Sequence, residues 1–249
     1  MEKKRFSTNM AVISVYNNRD LVKKMRDSVI SCVEDTGIRC EVIALDNTEN
    51  RFASAAEAYN YVIEQGCDAE VFVFCHQDII FLNHAVLDLY RCCTEQPMAL
   101  FGAAGVENKG HNSIIISSMA MMREGWNYKT LEKDSLHEVF TLDECLIAAN
   151  RRVFDKVKFD ASLCDRWHLY AVELCLQCHL QHIPVYVYSS NIVHLSGGRI
   201  DTSFYECEKR LAKKYRRYFN VISYTCGWIY TNPMKYWMLR IYRKIRFSI

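Results

Sequence analysis

Proline and glycine are scarce in this chain, three and nine in 249 residues. That excludes a collagen-like or low-complexity polymer. No repeat recurs at a fixed period, which excludes solenoids and propellers. No Gly-x-Gly-x-x-Gly, Walker or Gly-x-Ser-x-Gly motif occurs, which weakens dehydrogenase, kinase and hydrolase readings. Acidic residues are absent from Lys209 to Ile249, a segment that carries eleven Lys and Arg. Long uninterrupted apolar runs are missing too. The uncharged stretch from Leu174 to Gly198 contains Gln177, His179, Gln181, His182, Pro184 and Asn191, which one lipid-embedded helix would have to bury. It reads as a helix end followed by two strands. Met1-Glu2-Lys3-Lys4-Arg5-Phe6 offers no apolar leader core and no small-residue cleavage site, so the expected compartment is cytoplasmic. The twelve cysteines then read as reduced, small apolar core residues.

Half the residues are apolar and 24% are charged. That fills one core well and is short for two average domains. Short apolar runs at Met10–Tyr16, Cys40–Leu45 and Glu70–Cys75 each stop at a polar turn and read as strands. Between them, Asp20–Glu34 repeats Leu21, Met25, Val29 and Val33 at helical spacing. Ala53–Gln65 places Ala55, Tyr59, Val62 and Ile63 inward, with Gly66 just past its end. Strand, helix, strand, helix, strand is the signature of a parallel sheet with crossover helices. Further on, the pattern predicts a helix over 83–95, a strand over 98–106 and a strand over 139–150 that enters a short helix at Arg151. It then predicts a helix over 166–181, strands near 185–188 and 191–195, and a basic helix over 201–218 capped by Asp201 or Thr202.

Asn17, Asp46 and Asp78 each fall just past the carboxyl end of a strand, the rim where open α/β sheets bind ligands. In Val73-Phe74-Cys75-His76-Gln77-Asp78 an acid ends a buried strand. It is placed either to hold a divalent cation bridging diphosphate oxygens or to cap a turn near Asn83. Cys175, Cys178, His179 and His182 share one helix, whereas structural zinc draws ligands from separate elements, so core packing is the better reading.

Several ordered segments carry a resemblance: Val12-Ile13-Ser14-Val15-Tyr16-Asn17, Leu45-Asp46-Asn47, the Ala-rich helix ending in Tyr59-Asn60, Phe72 to Asp78, Trp167-His168-Leu169-Tyr170, and Val193-His194-Leu195-Ser196-Gly197-Gly198. Over about residues 10–200 the chain resembles glycosyltransferase family 2-like proteins of GT-A fold, in a bacterial subgroup linked to capsule and cell-surface polysaccharide synthesis. The resemblance implies an α/β fold of nucleotide-diphospho-sugar transferase type, with a mostly parallel sheet flanked by helices. It implies a metal-dependent glycosyltransferase of hexosyltransferase type, acting with inversion. The donor would be a nucleotide sugar, a UDP-sugar first, and the acceptor a cell-surface glycan or a lipid-linked one.

Position by position, Val15, Tyr16 and Asn17 would line the base pocket. Asp46 would hold base or ribose, and Asn60 and Gln77 would support the donor. His76-Gln77-Asp78 stands where the family places Asp-x-Asp, keeping only the last acid. Asp78 and, secondarily, His76 would ligate Mg²⁺ or Mn²⁺. His194 lies where relatives place another ligand, and imidazole suits Mn²⁺ better than Mg²⁺. The family's Glu-Asp pair at a helix start has no Asp here, because Ala171 occupies that place. The proton acceptor is therefore sought among Asp165, His168 and Glu173, with Asp165 first. Asp143-Glu144 would reach the acceptor pocket. Domain limits follow as 1–208 for the transferase unit and 209–249 for a basic, aromatic, helical extension. That extension would meet an anionic membrane surface, at the inner face of the plasma membrane, or pack on the acidic body. Nucleic acid is not an expected partner. Two other classes fit the residues: a catalytically silent nucleotide-sugar-binding module, and a membrane-surface adaptor.

Overall fold

The computed structural model describes residues 7–119, 128–132, 135–189, 191–197 and 200–247. Residues 1–6 and Gly198, both used above, lie outside the described residues. The chain opens with β1 (Thr8–Tyr16), α1 (Arg19–Val33), β2 (Cys40–Asp46), α2 (Ala55–Glu64) and β3 (Ala69–Cys75). The Asn18 side chain caps α1 by accepting from the backbone N–H groups of Asp20 and Leu21. The face of α1 that enters the core is Val22, Met25, Val29 and Cys32, one position round from the stripe expected at Leu21 and Val33. Fully burying residues such as Met25 and Val29 contributes roughly 1.5–3 kcal/mol each.

The middle of the chain supplies β4 (Ile79–Phe81), α3 (Ala85–Glu95), β5 (Leu100–Gly102), β6 (Ala104–Val106), β7 (Ile115–Ser117), β8 (Tyr128–Thr130), β9 (Leu136–Glu138), β10 (Thr141–Leu142), β11 (Leu146–Asn150) and α4 (Arg151–Phe154). After these come α5 (Tyr170–Leu180), β12 (Val185–Tyr188), β13 (Ile192–His194), α6 (Thr202–Tyr215), β14 (Val221–Tyr224), β15 (Gly227–Tyr230) and α7 (Pro233–Phe247). The central sheet has seven strands in the order β2-β1-β3-β11-β5-β12-β9. β1, β2, β3, β5 and β12 run one way, while β11 and β9 run against them. The expected α/β architecture is thus present. The predicted single strand over 98–106 is two strands, and β6 leaves the main sheet to pair with β10 and β7. Gly105 permits that pairing, since a Cβ there would sit 2.6 Å from the Thr141 carbonyl oxygen.

Two features fix the rim of the sheet. The β13–β4 pair sets His194 opposite Ile79, so the chain just after β3 and the end of β13 are brought side by side. α5 begins at Tyr170, four residues later than the predicted start, because Leu169 takes a left-handed conformation (φ 61°) and no side chain of its own segment caps it.

The extension is a β14–β15 hairpin and α7, both continuous with α6. Its charge is partly spent on the body: Arg210 pairs with Asp165, Lys214 with Asp160 and Glu173, and Arg243 with Glu208. A limit drawn at 208/209 falls inside α6. Among the described residues no helix is long and apolar enough to cross a membrane.

Candidate active site

Beyond the carboxyl ends of β1, β2 and β3 lies a cavity of about 1100 Å³, at the upper end of the size that encloses small ligands. Val15, Tyr16, Asn17, Asn47, Thr48, Tyr59 and Gln77 form one wall. Gln77 ties two strand ends together. Its Oε1 accepts from the N–H groups of Asn17 (3.1 Å) and Asn18 (2.8 Å), and its Nε2 donates to Asn17 Oδ1 (2.8 Å). Asp46 supports this wall from behind, accepting from Tyr16 Oη at 3.0 Å and from Thr48 Oγ1 at 2.7 Å. Hydrogen bonds from Thr48 and Tyr16, with Arg19 nearby, hold its carboxyl below the usual carboxylate range. Asn60 is not part of the lining. It donates to the Phe159 carbonyl (2.7 Å) and fastens α2 to the segment before α5.

His76, Asp78 and His194 meet at the cavity floor, each offering a ligand atom within 4.8 Å of the others. His194 Nε2 lies 3.4 Å from Asp78 Oδ1 and 3.4 Å from His76 Nδ1. The second nitrogen of His76 faces Tyr170 Oη at 3.2 Å, and that hydroxyl also donates to the Glu144 carbonyl at 3.0 Å. One imidazole nitrogen is thereby oriented by an outer partner while the other points at the cluster, as in metal-binding histidines. Two nitrogens and a carboxylate oxygen spaced like this fit a divalent transition ion, whose ligands stand about 3 Å apart around a shared centre. The side chains are mostly sheltered, Asp78 at 7% and His194 at 12% exposure.

Burial and the neighbouring His194 push His76 below the usual histidine range, which keeps it neutral and able to ligate. For Asp78 burial works upward, but hydrogen bonds from His194 and Ser196 win and hold the carboxyl well below its ordinary value. His194 feels the opposite balance: burial lowers it, while the Asp78 hydrogen bond and charge raise it overall.

Asp143, Glu144, Trp167, His168 and Thr225 also line the cavity. Asp143 is anchored twice, by the Cys145 N–H (3.0 Å) and by Thr225 Oγ1 (2.6 Å), and its charge reaches His76 and His194. The N–H groups of Leu169 and Tyr170, at the start of α5, face the Glu144 carboxyl and favour its charged form. Burial outweighs them and pushes the carboxyl well above the usual range, and its buried Oε1 has no hydrogen-bond partner among the described residues. His168 lines the cavity with Nε2 at 3.4 Å from Asp201 Oδ1.

The other expected proton acceptors are elsewhere. Asp165 is half exposed, binds Arg210 and lies outside the cavity lining, so it neither caps α5 nor faces the site. Glu173 is fully buried on the far side of α5, accepting from Lys214 (2.6 Å), Tyr215 (2.7 Å) and Gln177 (2.6 Å). Three donors leave it no route to a substrate, and its work is to lock α6 onto α5. Cys175 and Cys178 pack in the core, and His179 stacks on Phe140 at 4.6 Å. Sequence reasoning gave the wall residues Tyr59, Tyr170 and Thr225 no site role; Tyr59 and Tyr170 stand in segments that carry the family resemblance, and Thr225 has no such signal.

A mostly parallel sheet of this order flanked by helices, with a candidate cation-ligand set just past β3, matches the architecture of GT-A-type transferases. Residues 11–218 match the model of the "Glycosyltransferase like family", and the chain belongs to that family. A curated relative from Fuscovulum blasticum, described as "ATP synthase subunits region ORF 6", is 21% identical over 186 residues, 73% of each chain. Among solved structures, GalNAc-T7 with UDP, GalNAc and Mn²⁺ superposes with a TM-score of 0.57 at 10% identity over 85% of this chain. This chain spans 48% of that one, about half its length. A Drosophila β-1,4-galactosyltransferase 7 mutant with manganese, UDP-Gal and xylobiose gives 0.50 at 11% identity, covering 78% of this chain and 77% of that one. At such identities the likeness is one of fold.

Proposed function

We propose that this chain transfers a hexosyl unit, with inversion, from a UDP-sugar to a hydroxyl of a cell-surface glycan or a lipid-linked precursor, with Mn²⁺ or Mg²⁺ bound. The observation that carries this reading is the convergence of His76, Asp78 and His194 in the cavity that β1 and β2 also border. The superposed relatives whose structures hold UDP or UDP-Gal with manganese support it. In this reading Val15, Tyr16 and Asn17 receive the base, Asp46 keeps Tyr16 and Thr48 in place, and Gln77 holds the two strand ends in register. His76, Asp78 and His194 hold the cation, which supplies charge neutralisation for the departing diphosphate. Two imidazoles favour Mn²⁺ over Mg²⁺ in that role.

Inversion needs one group to take the acceptor proton as the new C–O bond forms and the bond to diphosphate breaks. Asp143 is the anchored carboxylate that faces the cavity, and it takes that proton in place of the acid that Ala171 does not provide. His168, beside it in the wall, orients the acceptor. Asp165 and Glu173 serve the scaffold. Residues 1–208 carry most of the donor site, and the extension adds Thr225 and Cys226 to its wall. The silent-module reading rests on Ala171, and Asp143 in the cavity counts against it.

The test is turnover of UDP-sugars by the purified chain with Mn²⁺. Metal-dependent release of UDP that falls at least a hundredfold in Asp143→Asn, with donor binding retained, supports the reading. Tight donor binding with equal, negligible turnover in both proteins would favour the silent module instead.

A further inference from the structure

α7 is a helix with two apolar faces. Tyr236, Leu239 and Arg243 turn inward, where Arg243 donates to Glu208 at 2.9 Å and Tyr236 faces the same carboxylate at 3.4 Å. The opposite side shows Met234 (70% exposed), Trp237 (65%), Met238 (59%), Ile241, Tyr242 and Ile245 (79%) to solvent. At about 100° per residue these six positions fall within an arc of about 140°. Lys235 borders the arc on one edge and Lys244 on the other, both exposed. An apolar stripe this continuous is rare on a surface that meets only water.

We infer that α7 lies in the plane of an anionic lipid surface, with the Met234–Trp237–Met238–Ile241–Ile245 stripe sunk among the acyl chains and Lys235 and Lys244 at headgroup level. An aromatic and aliphatic face edged by lysines is the pattern of interfacial helices, and Trp237 and Tyr242 suit the boundary between headgroup and chain. Charge argues for anionic lipid over a second copy of the chain: no Asp or Glu occurs from 209 to 249. Two α7 stripes face to face would therefore oppose lysines with lysines. Lys213, Arg216 and Arg217 at the end of α6 are exposed as well and add to the same sign. Arg210, Lys214 and Arg243 do not contribute, because body carboxylates already hold them. The stripe is thus a sharper determinant than the basic count of the segment.

The consequence for the site is one of reach. α7 follows directly on the β14–β15 hairpin, whose turn residues Thr225 and Cys226 line the cavity. Four-residue strands place that turn about 13 Å from α7. A lipid-attached acceptor would be presented within about 13 Å of the cavity wall. The docking itself does not depend on the glycosyl-transfer reading, and its test needs no turnover.

The experiment is flotation of the full chain with vesicles of phosphatidylcholine alone and of phosphatidylcholine with 30 mol% phosphatidylglycerol. The expected result is binding to the anionic vesicles at least tenfold tighter than to the neutral ones. Trp237→Glu with Ile241→Glu should reduce it more than tenfold, and Lys235→Glu with Lys244→Glu should reduce it severalfold. Both variants should keep the wild-type circular dichroism spectrum, since Trp237, Ile241 and Lys244 are exposed and Lys235 touches the body only through its ammonium over the Tyr230 ring at 5.5 Å. Absence of vesicle binding by the wild type, equal binding to both vesicles, or undiminished binding by the Trp237/Ile241 variant would overturn the inference. So would a lipid-free dimer in sedimentation that the Trp237/Ile241 variant dissociates, because the stripe would then be a contact between copies.

Discussion

His194 Nε2 stands 3.4 Å from Asp78 Oδ1, and the two are 116 residues apart in sequence, joined only because β13 pairs with β4. The candidate cation-ligand set is therefore a product of an antiparallel two-stranded ribbon set beside the main sheet. Its third member, His76, comes directly off β3.

Removing a ligand should separate metal binding from folding. Asp78→Asn and His194→Gln are each expected to weaken Mn²⁺ binding by at least tenfold in calorimetry. The far-ultraviolet spectrum should stay unchanged.

The same pair gives an opposite pH signature with and without metal. His194 is raised above 6.5 in the fold, so its contribution to stability is present below that value and fades as pH rises through the folded one. Asp78 is depressed below 3.8, so its contribution is present above that value and fades only as strong acid is approached. In metal-free protein the loss of Tm in His194→Gln should be largest near about pH 5 and small by about pH 8. Mn²⁺ affinity should instead increase over that interval, as the imidazole loses its proton.

Much of the site was legible from strand ends. Val15, Tyr16, Asn17, Gln77, Asp78, His76 and His194 all line one cavity, because a strand stop in an α/β sheet points its side chains to the same rim. Asp165 and Glu173 lie outside the cavity lining for a reason local patterns cannot reveal. The acid that faces the start of α5 is Glu144, across the fold, while Asp165 is held by Arg210 and Glu173 is claimed by α6. The reversal of β11, the departure of β6 from the main sheet and the β14–β15 hairpin are likewise decided by pairing partners and not by the period of the segment itself.

Glu144 offers a clean electrostatic test. Its folded carboxyl is raised above 4.5, so the neutral form is the one the fold prefers, and stability falls as pH climbs past that value. Glu144→Gln keeps a carbonyl facing the N–H groups of Leu169 and Tyr170 and removes the charge that burial penalises. It should raise Tm relative to wild type at about pH 8 and leave it nearly unchanged near pH 4. Matched thermal melts at the two values check this.

Glu173 and Glu208 should behave as scaffold acids. Each is fully buried and paired with a cation, Lys214 and Arg243 respectively. Glu173→Ala leaves the Tyr215 hydroxyl without its acceptor and Lys214 with Asp160 alone, and should cost roughly 2–4 kcal/mol in urea unfolding. Glu208→Ala, which frees Arg243 beside Tyr224, should cost about 3–5 kcal/mol. Mn²⁺ affinity of the folded fraction should not change in the first.

The most direct measurement is calorimetric titration of UDP into the chain with Mn²⁺ and again with excess chelator, for the wild type and for Asp78→Ala. The account predicts at least tenfold tighter UDP binding with metal, and loss of that gain in the variant. UDP affinity that is the same with Mn²⁺ and with chelator, or a metal effect that survives Asp78→Ala, would contradict it.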